Sequence, residues 1–193
     1  MVNRFLRYKD RLLTGAAFAA LLSVTVLQLH NQGRIWWCAC ARPFLWDGDI
    51  RSAHTSQHLA DPYSFTHILH GVIFYGLIRL VFPRLRLIWR LWCAVLVECL
   101  WEILENSSFV IQRYRETTIG LGYTGDSIAN SLSDITCCAL GFFIARRIGF
   151  WRSAVLFAAT ELVLLFWIRD NLTLNVLMLL YPVEAIKSWQ MVH

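Results

Sequence analysis

The sequence predicts an all-α protein, a polytopic transmembrane bundle of about five spans with a further external helix near the C-terminal end. Three observations predict it. Hydrophobic residues make up 57% of the chain and charged residues 16%, with a mean hydropathy of +0.49, which lies outside the range of soluble domains. Apolar runs long enough to cross ~30 Å of hydrocarbon recur with almost no polar face to cover a soluble core. Nine Trp and six Tyr suit the interfacial belts that anchor spanning helices. No linker, low-complexity tract or internal repeat interrupts the pattern, so residues 1–193 read as a single integral membrane domain.

The first span, residues 12–29, follows Arg4, Arg7, Lys9 and Arg11. It reads as a retained helix and not a cleaved signal, because the apolar run exceeds an h-region and Ala39-Cys40-Ala41 lies far beyond it. Residues 30–64 form the longest connection, rich in aromatic and polar groups: Trp36, Trp37, Trp46, Asp47, His54, His58 and Asp61. Cys38 and Cys40 lie here. A bridge across one intervening residue is strained, so free thiols, a redox pair and metal ligands all stay open. His54 and His58 read as exposed loop residues. The second span, 65–82, is entered through Asp61-Pro62, with Ser64 as the expected N-cap.

Pro83-Arg84-Leu85-Arg86 separates it from the third span, 88–106. Residues 107–123 form a second external stretch, running into Gly120-Leu121-Gly122-Tyr123-Thr124-Gly125. That segment lacks the strand context and the Lys-Ser/Thr ending of a phosphate loop. The fourth span, 126–145, precedes Arg146-Arg147, and the fifth covers 153–169. The apolar run 176–183 is too short to cross a bilayer and predicts an interfacial or re-entrant helix, with Glu184 and Lys187 spaced to pair. Cys93, Cys99, Cys137 and Cys138 fall within spans and read as small buried hydrophobes.

The three basic clusters alternate so as to share one side, the cytoplasmic one. The N-terminus is then cytoplasmic and the C-terminal segment lies outside. This topology accounts for most of the net charge of +5, so no nucleic-acid partner is expected.

The chemistry concentrates in Val97-Glu98-Cys99-Leu100-Trp101-Glu102-Ile103-Leu104-Glu105-Asn106. At 100° per residue Glu98, Glu102 and Glu105 fall within about 60° of arc. Charges in hydrocarbon persist only when paired, protonated, liganded or facing a water-filled cavity. On the fourth span Asp126, Asn130 and Asp134 form a stripe about 80° wide, and His67 and His70 open the second span. Arg169, Asp170 and Asn171 end the fifth. The predicted topology sets these groups at similar depth, in the outer half of the membrane, with Glu98 deeper than Glu102 and Glu105.

Imidazole with carboxylate suits Zn, Mn or Fe, and His67, His70, Glu102, Glu105 and Asp126 are the candidate ligands for one divalent ion. The Glu-x-x-His signature of di-iron bundles is absent. A metal-free carboxylate pair sharing a proton, a proton or ion relay, and a structural network binding the helices together fit the same residues. Asn106-Ser107-Ser108 and Asn171-Leu172-Thr173 match glycosylation sequons, but Asn106 is expected to cap its helix or line the site.

The chain also resembles a known family. Trp36-Trp37-Cys38-Ala39-Cys40, Ser56-Gln57-His58-Leu59-Ala60-Asp61, His67-Ile68-Leu69-His70-Gly71, Trp101-Glu102-Ile103-Leu104-Glu105-Asn106-Ser107, Gly125-Asp126-Ser127 and Arg169-Asp170-Asn171-Leu172-Thr173-Leu174-Asn175 carry the resemblance. The family is an uncharacterised one of proteobacterial inner-membrane proteins, a domain of unknown function, and nearly everything after about residue 30 is similar. The resemblance implies a multi-span inner-membrane protein and supplies no activity or catalytic residues. A looser similarity, in composition and order alone, is to VanZ-like membrane proteins.

The leading expectation is a hydrolase or transferase acting on a lipid, lipid-linked or membrane-anchored substrate at the outer leaflet. Glu102, Glu105, Asp126 and His70 would carry the chemistry, and His67, Glu98, Asn130 and Asp134 would orient it or the substrate. Arg169 would receive an anionic head group. The alternative is a non-enzymatic subunit or assembly factor of a larger membrane complex, with the polar cluster structural. A transporter fits less well, since no inverted repeat is visible.

Overall fold

The computed structural model describes residues 2–191 apart from 43, 119 and 121, with side chains from residue 9 onward. It consists of α1 (Val2–Asn31), α2 (Ser64–Val81), α3 (Leu87–Glu105), α4 (Ser108–Thr117), α5 (Ile128–Ile148), α6 (Phe150–Ile168), α7 (Leu172–Leu180) and α8 (Glu184–Met191). Among the described residues the one strand-like pairing is an isolated bridge between Trp46 and Ala60. The protein is all-α, as its composition and apolar runs predict.

Among the described residues four helices are long and apolar enough to cross a membrane: Lys9–Asn31 within α1, then α2, α5 and α6. Their outward faces are hydrocarbon, including Leu27, Leu80, Val155, Phe166 and Trp167, the surface a bilayer covers. The fifth expected span is α3. It matches the others in length at 19 residues but carries Arg90, Glu98, Glu102 and Glu105, too many charges for a span recognised by composition. The bundle solves this by packing α3 against α1, α2 and α5, so that Glu98 and Glu102 are 0% exposed.

The apolar core lies where α2, α3 and α5 meet, built from Val72 and Tyr75, from Leu91, Ala94, Val95 and Cys99, and from Ile135, Phe142 and Ala145. The rings of Tyr75 and Phe142 meet edge to face with centroids 5.1 Å apart. α2 and α5 make the most extensive contact of any helix pair. Gly149, at φ 79°, lets α5 turn directly into α6.

The basic clusters gather at one end. Arg86 of the α2–α3 turn pairs with Asp10 of α1 at 2.8 Å, and Arg79, Arg90 and Arg146 line a common depression. The side chains of Arg4 and Arg7 lie outside the described residues.

Local sequence explains the helix starts, with one correction. Ser127 and Asn171 cap α5 and α7 by accepting from Asn130 N–H and Leu174 N–H at 3.1 and 2.8 Å. Ser64 does not cap α2. Asp61 Oδ1 accepts from Tyr63 N–H at 2.7 Å, and the Ser64 hydroxyl instead donates to Asp134 at 2.9 Å. The segment expected to connect the third and fourth spans contains α4, which buries Val110, Ile111 and Tyr114. Residues 119 and 121 of the glycine-rich stretch after it lie outside the described residues. α7, at nine residues, is too short to span, as the apolar run 176–183 predicts. Its N-terminus is held by Glu161 of α6, whose oxygens accept from Leu172 N–H and Thr173 N–H at 2.9 and 3.0 Å. A carboxylate on a spanning helix is thus satisfied by the positive end of a neighbouring helix.

Candidate functional site: a buried histidine–carboxylate cluster

α2 and α5 enter the bundle at the end opposite the basic clusters, and α3 finishes there, so the polar residues of three helices converge. Glu98 is the pivot. His67 Nδ1 and His70 Nδ1 face its carboxylate at 2.5 and 3.0 Å. An ionised carboxylate only accepts, so each imidazole donates through Nδ1, and each ring keeps Nε2 for another partner. His67 Nε2 lies 3.9 Å from Asp134 Oδ2. Phe74 stacks on His70 at 5.7 Å and Trp101 meets its ring edge-on at 6.0 Å, which keeps the pair in an apolar shell.

Glu102 differs from Glu98. It is also fully buried, yet neither carboxylate oxygen makes a hydrogen bond among the described residues. His67 Nδ1 lies 3.5 Å from its Oε1. Buried carboxylates are ordinarily hydrogen-bonded or liganded, because desolvation without compensation costs several kcal/mol, of the order ~2–7 even for neutral groups. One ligand atom each from His67, Glu102 and Glu105 lies within 4.8 Å of the others, and His67, His70 and Glu98 form a second such group. Neither group includes Asp126.

Asp126 belongs to an adjoining network. Its oxygens accept from Asn106 Nδ2 at 2.8 Å and Tyr123 OH at 2.9 Å, and its own N–H donates to Asn106 Oδ1 at 2.6 Å. Burial raises the Asp126 carboxyl above its ordinary range, and these donors pull it back. Asn106, 1% exposed, caps α3 and bridges it to the entry of α5, the role its sequence context predicts. Asn130 donates weakly to Leu59 O at 3.5 Å, bracing the loop before α2.

A cavity of about 350 Å³ opens onto this cluster, lined by His67, His70, Glu105, Asp126 and Asp134 together with Tyr63, Trp101, Tyr114 and Tyr123. Its size suits a small ligand or head group. Of the predicted site residues, His67, His70, Glu105, Asp126 and Asp134 thus share one cavity, with Glu98 and Glu102 directly behind them. Arg169 is elsewhere: it ends α6 in the left-handed region and its guanidinium meets α8, donating to Trp189 O at 3.2 Å and facing the Trp189 ring. The arginine on the cavity wall is Arg51, which also donates to Gln190 O at 3.1 Å. No periodic signal marks a loop arginine as part of a site built on helices.

Asp170 shows how the C-terminal helices join the site. It accepts from Asn171 N–H at 2.9 Å, Tyr63 OH at 3.1 Å and Gln190 Nε2 at 3.2 Å, tying α8 to the start of α2. Burial pushes its carboxyl from 3.8 up to about 6. A carboxyl raised in the folded state favours folding below its unfolded value, and that contribution is lost as pH rises through the folded one. Thermal stability in detergent is therefore expected to fall as pH rises from 4 to above 6, and Asp170→Asn should flatten that part of the profile. An unchanged profile in the variant would remove Asp170 as the cause.

The sequence profile of the family described as "Protein of unknown function (DUF2585)" matches residues 29–192. The chain is 49% identical over 178 residues to a UPF0314 protein of Sphingopyxis alaskensis, covering 92% of this chain and 93% of that one. A UPF0314 protein of Paracoccus denitrificans is 49% identical over 158 residues, 82% of each chain. One from Rhizobium meliloti is 44% identical over 174 residues, 90% of this chain and 88% of the relative. No solved structure matches. Coverage and identity together place the chain in the DUF2585 family of proteobacterial UPF0314 proteins.

Proposed function

We propose that the protein is a metal-dependent hydrolase or transferase of the bacterial inner membrane that acts on the polar end of a lipid, lipid-linked or membrane-anchored substrate. The observation that carries this reading is Glu102, a fully buried carboxylate without a hydrogen bond beside His67 and Glu105. A divalent ion of the Zn, Mn or Fe class would satisfy it. His67, Glu102 and Glu105 would hold the ion and leave a position open for water, which the metal acidifies. Glu98 would fix both imidazoles by accepting from them, as carboxylates behind ligating histidines do.

The cavity walls supply the remaining parts. Asp126 is a buried carboxyl on the cavity surface, placed to exchange a proton with an attacking water or leaving group. Arg51 offers a guanidinium for an anionic head group, in place of the role expected of Arg169. The basic end of the bundle supports a cytoplasmic N-terminus, which sets the cavity toward the periplasm.

The test is a strain lacking the gene, complemented with wild type or with His70→Ala or Glu105→Gln at equal abundance. The expected result is an altered envelope lipid or lipid-linked profile that wild type restores and both variants fail to restore. Full restoration by both variants would sink the proposal. The exposed Trp36, Phe44 and Leu45 of the first loop favour a second reading, a docking subunit of a larger complex. Stoichiometric co-purification with a partner that both variants retain would select it.

A further inference from the structure

A second cluster of soft and borderline ligands lies outside the cavity, in the loop between α1 and α2. One ligand atom each from Cys38, Cys40, His54 and His58 falls within 4.8 Å of all the others. Cys38 Sγ lies 3.2 Å from His54 Nδ1, and Cys40 Sγ lies 4.0 Å from His58 Nε2. Both thiols are free. The geometry points to a four-ligand Cys₂His₂ site for a thiophilic divalent cation of the zinc class, separate from the histidine–carboxylate cluster.

Four features of the loop support it. The first is charge: two thiolates cancel a divalent ion and two neutral imidazoles add nothing, so the loaded site is neutral and can be buried without a large desolvation cost. Cys38 and His58 are indeed buried, at 6% and 2% exposure, which corrects the expectation that His58 is a surface residue. The second is satisfaction. His58 Nδ1 is buried without a hydrogen bond among the described residues, and its Nε2 has only the long contact to Cys40. An imidazole so placed lacks a polar reason to be inside unless it ligates.

The third is the backbone. Only three non-glycine residues among those described have positive φ, and two of them flank the ligands: Ala41 follows Cys40, and Ser56 sits between His54 and His58. Such strain persists where something holds it and concentrates at ligand clamps. The Cys40 N–H points at Cys38 Sγ at 3.4 Å, the direction in which an amide supports a thiolate. The fourth is the ligand pattern: His-x-x-x-His has the spacing of the histidine pair in structural zinc sites, while Cys-x-Cys, one residue tighter than their usual cysteine pair, is too tight for an unstrained disulfide. Phe44 and Trp37 meet the His58 ring edge-on, with centroids at 5.1 and 6.5 Å, and exclude water from one side.

The site staples a loop with almost no regular structure to the wall of the cavity. Directly beyond His54, Ser56 O accepts from Ser127 N–H at 2.9 Å and Gln57 Nε2 donates to Gly125 O at 2.6 Å. Arg51, Ser52 and Thr55 line the cavity itself. Loading releases the two thiol protons to solvent as the four metal bonds form, so the loop is ordered by metal and loosened by acid or chelation.

The experiment uses the full chain in detergent, purified reduced and under anaerobic conditions, then loaded with Co(II) as a spectroscopic stand-in for zinc. The expected result is one equivalent of cobalt showing a thiolate-to-metal charge-transfer band and the intense visible bands of tetrahedral coordination. Zinc should displace the signal. Cys38→Ser and Cys40→Ser should each lose the band, and Glu102→Gln should keep it, because the carboxylate cluster holds no sulfur. Absence of the band in wild type with both thiols shown to be reduced would overturn the site. So would a thiolate-to-cobalt band that both cysteine variants retain, or isolation of the native protein with Cys38 and Cys40 joined to each other.

Discussion

Glu102→Leu is expected to raise the thermal stability of the metal-free protein while abolishing metal binding at the cavity, and Glu98→Leu is expected to lower both. The residues lie four apart on α3, are equally buried, and have opposite environments. Glu98 accepts from His67 and His70, so its removal leaves the buried His67 and part-buried His70 imidazoles without their partner, a loss of about 3–5 kcal/mol by analogy with broken buried pairs. Glu102 accepts from nothing among the described residues. Replacing such a group by a well-packed apolar one is neutral or stabilising by about 1–4 kcal/mol, which in a chain of this size moves the midpoint by several degrees. The measurement is thermal unfolding in detergent with and without chelator, beside elemental analysis of each variant. If both leucine variants destabilise alike, Glu102 has a protein partner and the metal reading loses its foundation. The opposite signs would mark a group kept for function at a cost in stability.

How much of this was legible beforehand depends on the range of the interaction. The spanning helices announced themselves as apolar runs, because burial in lipid requires a local property of the sequence. The face of Glu98, Glu102 and Glu105 was legible for the same reason, since three charges on one side of an apolar helix have few explanations. Their division of labour was not. That Glu98 and not Glu105 meets both histidines is set by the axial offset of α2 against α3, a tertiary quantity. Glu161 carries no such signal because its partners, the amides of residues 172 and 173, come from a later helix whose placement beside α6 no pattern encodes. α4 was missed because its apolar positions, Val110, Ile111 and Tyr114, are too few to stand out between polar neighbours. His54 and His58 read as surface residues because the chain returns to Cys38 and Cys40 through irregular backbone with no period. Arg169 looked like a head-group ligand from its place at a helix end. Its left-handed conformation turns it toward Trp189 instead.

The second large effect concerns the crossing that brings His67 to Asp134. A Cβ on Gly71 would overlap the Cys138 carbonyl of α5, and one on Gly141 would overlap the Ile68 carbonyl of α2. The two helices therefore touch backbone to backbone at two reciprocal points, the close approach that small residues permit within membranes. A carbonyl engaged in its own helix cannot swing aside as a side-chain tip can, so Gly71→Val and Gly141→Val must separate the helices. Overpacking commonly costs about 1–3 kcal/mol, and a main-chain collision puts each variant at the upper end or beyond. Separation would also draw His70, the neighbour of Gly71, away from Glu98 and move His67 from Asp134. Loss of fold and loss of the cavity cluster should appear together. Gly76 on the same helix provides the control, since a Cβ there meets nothing within 4 Å. Gly76→Ala gains helix propensity of roughly 0.5–1 kcal/mol and is expected to fold as well as wild type or better. Thermal unfolding and size-exclusion profiles in one detergent, for these three variants beside wild type, check the prediction. Gly71→Val and Gly141→Val with wild-type midpoints would mean that α2 and α5 do not cross at this distance, and the placement of both histidines would fall with it.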